Sequence, residues 1–196
     1  MVLMVTYADW LVGDGDEPVT VGLPWRVTLE LQRAGPVTAS DWHPILTPSS
    51  APQTGLWPIE GEPGRYRIVG DVVMSSSSWV GIEAGGWRVA APGPHGGRVE
   101  GQVTLNHDTH MIDDDALRTF ATQQVEIAAI DYLPGRYRRG RLDRRSYHLV
   151  EWGAARPVSS THELGTTLME QTVELDNGLF EKVGSGRFVL SCRRPA

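Results

Sequence analysis

The chain has 196 residues, 40% hydrophobic and 21% charged, a balance that excludes a disordered chain and suits one large domain or two small ones. A single cysteine, Cys192, excludes an intrachain disulfide and any multi-cysteine zinc site. Net charge is −6, divided as −9 over residues 1–130 and +3 over residues 131–196, which argues against nonspecific nucleic-acid binding but leaves room for one local basic site.

The first ten residues lack a basic n-region, and their apolar run ends at Asp9, too early for a secretory leader. No run reaches the ~18 apolar residues of a membrane span. A cytoplasmic location without membrane contact is therefore expected. Residues 2–7 read as a strand, and Gly13-Asp14-Gly15-Asp16 as a turn. Apolar/polar alternation then predicts strands over 19–22 and 25–31. Residues 34–64 are rich in Pro, Ser and Gly and carry Trp42 and Trp57, which suits an ordered loop closing one end of a barrel with the rings as plugs.

Strands follow over 65–74 and 79–90, joined across Ser75-Ser76-Ser77-Ser78, and Pro92-Gly93-Pro94-His95-Gly96-Gly97 breaks the chain. Residues 99–105 alternate again. Asp113-Asp114-Asp115 before Ala116-Leu117-Arg118 predicts one short helix near 114–122, because acids satisfy free amides at a helix start and face its positive end. Strands over 125–132 and 146–152 flank an arginine-rich connection. Ser160-Thr161-His162-Glu163 resembles a capping box, but Gly165 and two threonines follow, which weakens a second helix. Asp176-Asn177-Gly178 is a hairpin turn between 172–175 and 188–191.

Ten or more short strands with little helix predict an all-β fold. Its natural closure is a barrel or sandwich, or two packed small barrels, since closure removes exposed edges. Residues 1–196 form one compact β domain on this reading, with subdomains 1–106 and 107–196 as the alternative. Ile59-Glu60-x-x-Pro63-Gly64-Arg65-Tyr66-Arg67 recurs as Ile130-Asp131-x-x-Pro134-Gly135-Arg136-Tyr137-Arg138. Duplication would explain the echo. The plainer account is that Pro-Gly makes a good turn before any strand.

Two segments stand out chemically. Arg136, Arg138, Arg139, Arg141, Arg144 and Arg145 lie within ten residues, with Tyr132, Tyr137 and Tyr147 nearby. Guanidinium forks bind phosphate or carboxylate in a bidentate way and aromatic rings add stacking, so anion contact by these arginines with Tyr137 is one reading. A solubilising hairpin, or pairing with the acidic first two-thirds, is the other. The second segment, Asn106-His107-Asp108-Thr109-His110 before Asp113, supplies zinc- or iron-type ligands in His107, His110 and Asp113. A solvated polar loop serving the helix end explains the same residues.

His95 in His95-Gly96-Gly97 resembles an oxyanion loop, but no Gly-x-Ser-x-Gly elbow accompanies it. No phosphate-binding Gly-x-x-x-x-Gly-Lys loop or Gly-x-Gly-x-x-Gly run occurs, so no cofactor is expected. Cys192 suits a packed thiol.

Val5 to Trp10, Pro18 to Gly22, Trp25 with Leu29, His95-Gly96 and Gly101-Gln102-Val103 resemble a family of small bacterial domains of unknown function. The likeness touches about half the chain, and this chain lacks the cysteines that the family carries after Asp-Trp. The resemblance implies a β-barrel-like body and assigns no activity. The expected function is a non-enzymatic binding module whose Arg/Tyr-rich connection contacts a protein or an anionic ligand. A metal-dependent or small-molecule enzyme using His107, His110 and a nearby Asp is the alternative, and a structural homo-oligomer subunit a further one.

Overall fold

A computed structural model of the chain describes residues 2–8, 12, 17–34, 43–107, 111–139, 147–163, 172–175 and 178–195. Strands make up 62% of it and eight of them close a barrel, as the alternation predicts. In chain order they are β1 (Leu3–Ala8), β2 (Pro24–Arg33), β3 (Thr47–Pro48), β4 (Gly55–Pro58), β5 (Arg65–Ser75), β6 (Trp79–Ala84), β7 (Trp87–Pro92) and β8 (Arg98–His107). After the helix α1 (Asp115–Ala121) come β9 (Thr122–Arg139), β10 (Tyr147–Trp152), β11 (Arg156–Val158), β12 (Thr172–Glu174) and β13 (Phe180–Arg193). Among the described residues no helix is long and apolar enough to cross a membrane.

The circuit runs β9, β13, β1, β8, β5, β6, β7, β2 and back to β9. β2 and β8 also pair with each other, from Leu29↔His107 to Arg33↔Val103, which pinches the circuit into two loops sharing that pair. β8 carries two strands end to end on one side: β5, ending at Arg65↔Thr104, and then β1, at Thr6↔Asn106. That junction becomes the floor of the site described below.

Alternation explains the core. Val27, Leu29 and Leu31 of β2 are fully buried, and so are Leu3, Val5 and Tyr7 of β1. They belong to one cluster that also takes Ile82 and Val89 from the other loop of the circuit. Each such side chain contributes about 1.5–3 kcal/mol by leaving water. A second cluster, of Trp79, Ala90, Ile112, Leu117 and Ala121, seats α1 against β6 and β7. The acids before the helix act as expected: Asp114 is the N-cap and accepts from the Leu117 amide at 3.0 Å.

Several expectations are corrected. Residues 19–22 form no strand; Thr20 makes a single bridge to Ser160 before a turn at Val21 and Gly22. The strand expected over 79–90 is a hairpin, because Gly85 and Gly86, at φ +57° and +81°, make the two-residue turn in which both centres are left-handed. Trp57 is no plug: it lies on β4, 41% exposed, stacked beside Arg67. Trp42 lies outside the described residues. At 161–163 there is one 3-10 turn, where Glu163 accepts from the Ser159 amide and hydroxyl, both at 2.7 Å. The hairpin after 172–175 pairs Thr172–Glu174 with 180–182 rather than with 188–191.

The echoed motif takes two structures. Pro63-Gly64 is a turn, with Gly64 at φ +81°, before β5. Pro134-Gly135 lies inside β9, flanked by Trp152 of β10 and Lys182 of β13. The turn expected at the second copy is overridden by strands on both sides of it.

Candidate functional site

Proline has no amide to give a ladder, so Pro134 breaks the pairing between β9 and β13. Lys182 stands opposite Gly135 and Arg187 opposite Leu133, so residues 183–186 of β13 face Pro134 alone. The bulge re-aims the strand and delivers Arg187. Gly186 must be glycine there, since a Cβ would sit 2.6 Å from the Leu133 carbonyl and 2.5 Å from the Tyr132 hydroxyl. The Pro134 carbonyl accepts from the Gly153 amide at 2.8 Å, which holds the end of β10 beside it. Trp152 is thereby placed so that the Arg187 guanidinium carbon lies 4.5 Å from its ring centroid.

This pair forms one wall of a cleft of about 580 Å³, within the size range of ligand sites. The floor is the β1–β5 junction, with Thr6, Thr104, Asn106 and Gln32. Thr6 Oγ lies 2.8 Å from the Leu105 carbonyl and 3.1 Å from Asn106 Oδ1, which fixes both polar side chains. Arg33 and Arg65 line the far side, and Leu149, Val150 and Glu151 of β10 the near side.

The charges are unequally committed. Glu62 pairs with Arg65. Glu151 pairs with Arg136 at 3.0 Å, and Glu181 holds both Arg136, at 3.6 Å, and Arg156. The Glu151 hydrogen bond leads the causes that push the Arg136 guanidinium above its usual range. Arg187 differs. Its Nε is buried without a hydrogen-bond partner, as are those of Arg65 and Arg136, but among the described residues no carboxylate pairs with it. Burial alone pushes its guanidinium down to about 10, so it stays protonated at neutral pH and bears the desolvation cost as lost stability.

None of the described residues of the arginine-rich segment lines this cleft. Arg136 is locked between the carboxylates of its two neighbouring strands and serves the structure. Tyr137 is half-buried and Arg138 exposed, both on β9. Arg139 ends β9 opposite Tyr147; its side chain lies outside the described residues, as do Arg141, Arg144 and Arg145.

The metal candidates are described only in part. His107 is 3% exposed, its ring 4.5 Å from Trp25 and 5.3 Å from Tyr7 between centroids. The Thr28 amide donates to its Nδ1 at 3.1 Å. Asp113 is exposed ahead of α1, and His110 lies outside the described residues. Among the described residues no three His, Cys, Asp or Glu side chains could hold a metal ion. His95, half-buried in the β7–β8 connection, does not line the cleft.

Sequence reasoning missed Arg187, Trp152, Arg33 and Arg65 as a group. One signal was present: Pro134 inside a strand pattern, facing Gly184-Ser185-Gly186, marks a bulge that re-aims whatever follows it. Compared with known protein families, with curated proteins and with solved structures, the chain gives no match.

Proposed function

We propose that this chain is a non-enzymatic binding module that recognises an anionic group in the cleft over the β1–β5 junction, with Arg187 as the anion contact. The observation that carries the reading is a half-buried guanidinium, its Nε sealed from water, with no carboxylate partner among the described residues. Leaving a cation desolvated and unpaired is costly, and a bound anion supplies the missing partner where the dielectric is low. The Trp152 ring holds the guanidinium in place, so little side-chain freedom is lost on binding. Arg138 and the arginines that follow it in the sequence add positive charge to this half of the chain, which steers anions toward it.

The test is thermal unfolding of the wild type and Arg187→Met, each titrated with inorganic phosphate and with glutarate. Either anion that binds the folded wild type raises its stability, by about 2.7 kcal/mol at a hundredfold excess over its Kd. The variant gains nothing from either. Without anion the variant stays within about 1 kcal/mol of the wild type. Relief of desolvation, at most on the order of 3 kcal/mol, offsets a lost ring contact worth about 2 kcal/mol. Equal protection of both proteins, or a collapse of the variant by more than about 3 kcal/mol, would make Arg187 a structural residue.

A further inference from the structure

β10 lies at one end of the sheet path. Its inner edge pairs with β9. Among the described residues no strand pairs with its outer edge. Proteins usually blunt such an edge with charge, proline or a very short strand, because its free amides and carbonyls will take up another chain. β10 has six residues, ~20 Å of backbone, and exposes Leu149 at 45% and Val150 at 48%. A bulge lies between Leu149 and Glu151 in the inner ladder, and all three residues from Leu149 to Glu151 line the cleft beside Trp152 and Arg187. The bulge restricts casual pairing and aims two aliphatic side chains at a cationic cleft.

We infer that the cleft takes an extended acidic peptide segment, which adds as a strand to the outer edge of β10 and places one carboxylate on Arg187; this rests on the anion reading above. Charge selects the occupant. Among the described residues that line the cleft, Glu62 is held by Arg65 and Glu151 by Arg136, which leaves Arg187 with no carboxylate. A basic segment meets like charge, and a neutral one leaves Arg187 unpaired. Shape selects it too. An inorganic anion has no use for Leu149 and Val150, whereas alternate side chains of a strand reach apolar and cationic positions in turn. Backbone hydrogen bonds supply affinity and the arginine supplies choice.

The experiment is calorimetric titration of the full chain with the acetylated, amidated peptide Thr-Glu-Val-Glu-Val-Glu-Thr. Its comparators are the same peptide with Lys for Glu, two versions N-methylated at alternate residues of opposite parity, and free glutarate. The acidic peptide is expected to bind at least tenfold tighter than glutarate. It should lose that margin in one N-methylated version and retain it in the other, and lose it with Arg187→Met and with Leu149→Asp. The lysine peptide should not bind. If glutarate acts through Arg187 and the peptide gains nothing over it, strand addition is wrong and the anion reading stands. If both N-methylated versions bind like the parent, or the lysine peptide binds as well, strand addition is overturned. If neither glutarate nor the peptide depends on Arg187, both readings fall together.

Discussion

Arginine in this chain is used for its plane as much as for its charge. Arg67, Arg88, Arg187 and Arg194 each lie over an aromatic ring, at 5.6, 5.7, 4.5 and 4.7 Å from the centroids of Trp57, Phe120, Trp152 and Trp87. A guanidinium stacks and still offers its fork at the rim, which an ammonium cannot do. Two of these forks are occupied internally. Arg67 reaches Glu100 at 3.3 Å, and Arg88 donates to the Thr122 carbonyl at 3.2 Å. Arg187 and Arg194 make no such bond among the described residues, and of the four only Arg187 has a buried, unpartnered Nε.

Asp71 and Arg98 show the opposite case, a fork fully used, with Nε–Oδ1 at 2.7 Å and Nη2–Oδ2 at 2.9 Å. That hydrogen bonding, ahead of the charge attraction, holds the Asp71 carboxyl below its ordinary 3.8. A carboxyl whose pKa falls on folding stabilises the fold at pH values above its unfolded pKa. The contribution disappears as pH drops through the lower folded value. Asp71→Asn should therefore be less stable than the wild type at pH 7, and the two should converge as pH falls through the depressed folded pKa of Asp71. Denaturant unfolding across pH reads this directly; a constant gap down to pH 2 would show that the pair's worth is not ionic.

At the scale of elements, close approach decides where short pieces attach. β3 lies against β8 with Thr47 opposite Glu100, and the chain leading into it crosses Gly101. A Cβ on Gly101 would sit 2.4 Å from the Ile45 carbonyl oxygen, a backbone atom with no rotamer to escape through. Gly101→Ala should cost about 1–3 kcal/mol, as overpacking does elsewhere, and loosen residues 45–48 first. Hydrogen exchange at the Ser49 amide, which donates to the Arg98 carbonyl at 2.8 Å, reports the loosening. Unchanged exchange and stability would mean that this segment floats over β8 rather than packing on it.

For the whole molecule, closure depends on β1 meeting β13 across nearly the full chain, from Leu3↔Cys192 to Ala8↔Arg187. On its other side Cys192 faces Ile127 of β9. Burial pushes its thiol up to about 12, so the native thiol is protonated and out of reach. A disulfide reagent at pH 8 should leave it untouched in the native protein and titrate one thiol in denaturant. Labelling at intermediate denaturant should follow global unfolding. Fast native labelling would instead show that the β1–β13 seam opens locally. Pairings this distant in sequence also place folding in the millisecond-to-second range expected of non-local sheets.

How much was legible follows from how local each signal is. The sequence by itself determined the all-β class, the strands at 25–31, 65–74 and 99–105, the break at 92–97 and the Asp-capped helix, because alternation, turn residues and caps act within a few positions. Where neighbours compete with local preference, the tertiary structure decided. Pro134-Gly135 runs straight because β10 and β13 flank it, although the same dipeptide turns at Pro63-Gly64. His107 reads as a ligand in its loop of acids but packs between Trp25 and Tyr7. The cleft joins residues of six strands and the turn before β5, and its Arg187–Trp152 pair exists only because a bulge shifts register opposite Pro134. Register is set by which strands meet, and no window of sequence contains both partners.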